Sequence, residues 1–160
     1  MGAAKAAMRL PTGLAYSVER RVPASLLLIT PTVAVANGVY GTLERGLGSQ
    51  VWVWHELAAE PAVRILEACT FRLILLDVAL AGVRLGSALR TVKQAAPTTP
   101  LVLLATSAET PLRIERHALG DARARLAGAT AVVRHGDPAA LEQAVRQILA
   151  MPATNAPHSA

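Results

Sequence analysis

The stretch FRLILLDVALAG, residues 71–82, decides the fold. An apolar run too short for an ordinary helix ends on one carboxylate, Asp77, and a small-residue loop follows. Runs of this length and make-up read as strands buried on both faces. A buried strand that ends on an acid puts that acid at the edge of a sheet, where the chemistry of α/β proteins is found.

Similar runs recur on both sides of it. SLLLIT (25–30), bounded by Pro23 and Pro31, reads as a first strand. An alternative sets that strand at TVAVAN (32–37) and leaves only a stubby helix, so the first assignment is preferred. Thr30 and Pro31 then suit an N-cap and first turn, and the helix runs to about Leu47, weakened by Gly38 and Gly41. QVWVW (50–54) is a second strand, β-branched and aromatic. Residues 60–68 form a helix, 71–77 the third strand, 86–96 a helix and 100–105 the fourth strand. Residues 109–127 are a long charged helical region, 129–134 the fifth strand and 137–150 the last helix. That helix has Asp137 as N-cap and an apolar stripe of Leu141, Ala144, Val145, Ile148 and Leu149.

Five β–α units with doubly buried strands imply an α/β fold, a doubly wound parallel sheet with helices on both faces. One domain spans 25–150, between an N-terminal arm (1–24) and an Ala- and Pro-rich tail (151–160). With 160 residues the chain has room for one full core. Aromatics are scarce, so aliphatic side chains must fill it. The net charge of +5, from sixteen basic and eleven acidic residues, is mild and forms no basic run, which argues against direct nucleic-acid binding. A single cysteine, Cys69, excludes disulfide frameworks and zinc clusters, fits a reducing cytoplasmic setting, and reads as a small core residue. No run of residues is long and apolar enough for a membrane span. Neither G-x-G-x-x-G nor G-x-x-x-x-G-K-[ST] follows any strand, so a nucleotide-binding enzyme has little support.

Residues 62–109, AVRILEACTFRLILLDVALAGVRLGSALRTVKQAAPTTPLVLLATSAE, resemble the bacterial response-regulator receiver domain. The matching pieces are a helix, a strand ending LLDV, the loop after it, and a strand preceded by TP. Residues 127–149, AGATAVVRHGDPAALEQAVRQIL, resemble the family's C-terminal segment. The resemblance implies a five-stranded CheY-like (flavodoxin-like) sheet of order 2-1-3-4-5. It also implies phosphoryl transfer from a partner histidine kinase to Asp77. Thr106 falls at the family's switch hydroxyl, and Arg134 or His135 at its lysine. The family's two acidic metal ligands fall on Thr30 and Pro31.

Those ligands are missing whichever strand comes first, because no Asp or Glu lies between Glu19 and Glu44. Mg²⁺ is a hard ion held by carboxylates, phosphate oxygens and water, and Asp77 alone is a weak ligand set. Without such an ion the phosphoryl oxygens lose their main neutralising charge. The expectation is therefore a degenerate receiver, with no catalytic residues, no metal site and no cofactor. It acts as a phosphorylation-independent protein-interaction module in two-component signalling. The alternative is a phosphorylatable single-domain regulator with weak Mg²⁺ binding at Asp77. On the first reading Asp77 pairs with Arg134, Arg84 or His135, a charged hydrogen bond contributing about 1–3 kcal/mol.

The expected partner is another signalling protein, or a second copy. Two surfaces stand out as interaction candidates. Trp52 and Trp54, two apart on the second strand, share one face, either packed under a helix or exposed as an anchor. Arg116 and Arg123 lie in the charged region, either on a solvated face or on an altered partner surface. His55 and His117 read as surface residues.

Overall fold

A computed structural model describes residues 22–81, 85–105 and 128–153. Five parallel strands form one sheet: β1 (Ala24–Ile29), β2 (Val51–Glu56), β3 (Leu73–Asp77), β4 (Leu101–Ala105) and β5 (Ala131–Arg134), in the order β2-β1-β3-β4-β5. The helices between them are α1 (Val33–Leu47), α2 (Ala59–Ala68), a single turn α3 (Val78–Ala81), α4 (Leu85–Ala95) and α5 (Pro138–Ala150). β1 occupies the first of the two candidate positions, one residue ahead of the expected start. The charged region 109–127 lies outside the described residues.

Every residue of β3 and β4 is buried, as the unbroken apolar runs require of central parallel strands. Strand alternation sorts their side chains into two cores. Leu27, Ile29, Ile74, Leu76, Leu101 and Leu103 pack under α2 and α4. Leu26, Leu28, Leu73, Leu75, Val102 and Leu104 pack under α1 and α5. Each fully buried Leu or Ile contributes roughly 1.5–3 kcal/mol, which is how a chain with few aromatics holds its sheet.

Three local readings are corrected. α1 begins at Val33, with Thr32 and not Thr30 at its N-cap position, and Thr32 makes no side-chain cap bond. The Thr30 hydroxyl is engaged elsewhere. Cys69 is exposed, because it follows the last turn of α2 and precedes the bend into β3. His55 is half-buried, with Nε2 donating to the Thr30 carbonyl at 2.9 Å. The reading of α5 holds: the Asp137 carboxylate accepts from Ala140 N–H at 2.9 Å, one residue before Pro138.

The far end of α5 is tied down by Arg72, which lies just ahead of β3. Its guanidinium donates to the carbonyls of Leu149 and Met151, at 3.2 and 2.9 Å. These are carbonyls that a helix end leaves without partners, and a cation beside them also suits the helix dipole. Arg72→Ala should destabilise the fold by about 1–2 kcal/mol, read as a lower urea midpoint with an unchanged slope.

Candidate functional site

The C-terminal edge of the sheet gathers the residues singled out from the sequence. Ile29 pairs with Leu76, so the next residues, Thr30 and Asp77, stand side by side at the strand ends. Both are buried, with 0% exposure. The Thr30 hydroxyl donates to Asp77 Oδ2 at 2.7 Å, and Ala79 N–H donates to Asp77 Oδ1 at 2.8 Å. Both carboxylate oxygens are thus satisfied, as a buried charge requires. The second bond closes an Asx turn that leads straight into α3. Asp77 ends its strand on a carboxylate because that group starts the following turn and receives the hydroxyl next door.

Thr30 is itself fixed on every side. Its N–H donates to the Glu56 carbonyl at 3.0 Å, and its carbonyl accepts from His55. Its hydroxyl oxygen accepts from Thr32 N–H at 3.3 Å. A hydroxyl has one proton to give. With Thr32 approaching the oxygen from one side, that proton is directed at Asp77.

These two partners of Asp77, the Thr30 hydroxyl and the Ala79 amide, are neutral. Arg134 is exposed, at the position paired with Ala105, one strand beyond β4. His135 turns toward α1: its N–H donates to the Ala105 carbonyl at 2.7 Å and Nε2 donates to the Val35 carbonyl at 3.3 Å. The ring lies against Gly38, where an added Cβ would come within 3.3 Å of Nε2. Gly38 therefore has a packing role in α1 as well as a propensity cost. Arg84, Thr106, Arg116 and Arg123 lie outside the described residues. Sequence reasoning missed Thr30 as the partner of Asp77. The signal was present, since the residue aligned with the metal-ligand position is a hydrogen-bond donor.

Among the described residues, the donor set does not fit the Mg²⁺ ion that the resemblance implies. A hard dication needs several oxygen ligands with free lone pairs and negative charge. Here the carboxylate already accepts two hydrogen bonds, and its neighbour is a neutral hydroxyl whose proton points at it. Among the described residues no three His, Cys, Asp or Glu side chains come together as a metal site. Among the same residues no helix is long and apolar enough to cross a membrane.

No protein-family model matches the sequence, and a search of curated proteins returns no match. Solved structures do match. A CheY-like receiver domain protein from Methanospirillum hungatei is 18% identical, with a TM-score of 0.60, covering 79% of this chain and 94% of that one. The receiver domain of NtrX from Brucella abortus is 18% identical, with a TM-score of 0.64, covering 79% and 99%. The chemotaxis regulator CheY4 of Vibrio cholerae is 17% identical, with a TM-score of 0.61, covering 79% and 98%. Together with the strand order, these matches establish the CheY-like receiver fold for this chain.

Removing the Thr30 hydroxyl should expose the cost of an under-bonded buried carboxylate. Thr30→Val, close in shape, should lose about 1–3 kcal/mol in denaturant unfolding. Thr30→Ser keeps the donor and should lose much less.

Proposed function

We propose that the protein is a receiver-fold signalling module of the cytoplasm that works through protein contacts and does not depend on phosphorylation of Asp77. The observation that carries this reading is the bond from Thr30 to Asp77. At the position aligned with a metal-binding carboxylate stands a hydroxyl that donates to the would-be acceptor. A nucleophilic carboxylate needs a free oxygen aimed at phosphorus and positive charge to neutralise the transferred group. Asp77 is buried, each of its oxygens accepts a hydrogen bond, and the two donors, the Thr30 hydroxyl and the Ala79 amide, are neutral. Arg134 and His135 were the candidates for positive charge, and His135 is committed to α1. On this reading the module is not an enzyme, carries no cofactor, and has another signalling protein as its partner.

The second reading, acceptance of phosphate by Asp77 from a histidine kinase, draws support from the place of Asp77 at the C-terminal end of the central strand. One experiment separates the two. The full-length protein is incubated with acetyl phosphate or phosphoramidate and Mg²⁺, then measured by intact mass and peptide mapping. The expected result is no added phosphoryl mass at Asp77. A stoichiometric phosphoryl adduct there would establish the second reading.

A further inference from the structure

β2 is an edge strand with an unguarded side. Its sequence, VWVWHE, contains no Lys or Pro, the usual devices that keep edges from pairing. The register places Trp52 beside Ser25 and Trp54 beside Leu27, so both indoles share the face that packs under α2 and α4 further into the sheet. The helices leave both partly uncovered. Trp52 is 65% and Trp54 48% exposed, and Leu57, just past the strand, is 57% exposed. Among the described residues, the one polar contact of these indoles is from Trp54 Nε1 to Glu56 Oε1, at 2.8 Å. Of the two readings of the tryptophans, the structure takes the exposed one over packing under a helix.

The backbone at this edge has a definite polarity. The Glu56 carbonyl accepts from Thr30 N–H on β1, so it points into the sheet. By strand alternation the polar groups of Trp52 and Trp54 also point inward, and those of Val51, Val53 and His55 face outward. Near that edge the Tyr40 hydroxyl approaches the Val53 carbonyl at 3.5 Å, a long contact that leaves a lone pair free.

We propose that this edge pairs with the same edge of a second copy, antiparallel about a two-fold axis at Val53. Val53 then faces its own counterpart as a hydrogen-bonded pair, and Val51 faces His55 in the same way, using the outward-facing groups. Trp52 falls opposite Trp54 of the second copy, twice, at non-hydrogen-bonded positions where side chains approach most closely. Cross-strand aromatic pairs of this kind stabilise antiparallel sheets. Glu56 falls opposite Gln50, so like charges do not meet. Moving the register two residues either way breaks the match. One shift sets Trp54 opposite Gln50, and the other sets Trp52 opposite Glu56.

The area involved sets the strength. A tryptophan buries roughly 150–250 Å², so the exposed indole surface is on the order of 250 Å² per copy, or about 500 Å² for the pair. A stable interface needs about 1,200 Å² in total. Paired backbones and Leu57 must supply the rest, so the expected dimer is a weak one. The pairing uses the indoles and the outward-facing backbone groups, not the bonds that His55 and Glu56 make to Thr30, so the proposal does not rest on the reading of the Asp77 site.

Sedimentation of the full-length protein through the micromolar range, with acrylamide quenching of tryptophan emission, tests this. The expected result is a monomer–dimer equilibrium in which quenching falls as dimer forms. Trp52→Lys changes an exposed side chain. Val53→Pro removes an outward N–H, which an edge strand tolerates. Each should weaken the dimer about tenfold or more while leaving the circular dichroism of the monomer unchanged. Three results would overturn the proposal: a monomer with open tryptophans at every concentration, a monomer with shielded ones, or a dimer indifferent to both substitutions.

Discussion

The hydrogen bond from the Thr30 hydroxyl to the buried Asp77 carboxylate organises the functional edge of this sheet. It joins the ends of β1 and β3. Its donor is oriented by the Thr32 amide, and its acceptor starts the turn into α3. The consequence is electrostatic. Among the described residues, the carboxylate of Asp77 is met by two neutral donors, the Thr30 hydroxyl and the Ala79 amide.

The same edge shows how the surrounding loops follow from this arrangement. His55 and His135 stand at the ends of two strands on opposite sides of the site. Each donates Nε2–H to a backbone carbonyl near the start of α1, at Thr30 and Val35 respectively. Gly38 leaves room for the second ring. The connection from β1 to α1 is thus held by two imidazoles and the Thr30 hydroxyl, with no carboxylate of its own.

Much of this was legible in the sequence. Unbroken apolar runs of five or six residues, punctuated by Pro and Gly, located the described strands closely, because central parallel strands are buried on both faces and leave no other pattern. Asp137 followed by Pro138 marked the start of α5 for a local reason, the capping of free amides. The absence of acids between Glu19 and Glu44 could be read without any structure. The partner of Asp77 was harder to read: Thr30 falls at the aligned position, but hydrogen bonds across strands depend on register, and a Thr before a Pro is equally suited to capping a helix. The exposure of Trp52 and Trp54 was hidden for a similar reason. Aromatic residues on a strand look the same whether or not a helix reaches far enough to cover them. Cys69 misled because burial at a helix end depends on where the chain turns next.

The most direct test of the central claim is a Mg²⁺ titration of the ¹⁵N-labelled full-length protein, following the amides of Thr30, Asp77 and Ala79 by NMR. If the Thr30 hydroxyl holds Asp77 as described, these amides show no saturable shift up to millimolar Mg²⁺. Saturable shifts centred on those three residues would mean that the carboxylate is free to take a metal, and would contradict the account.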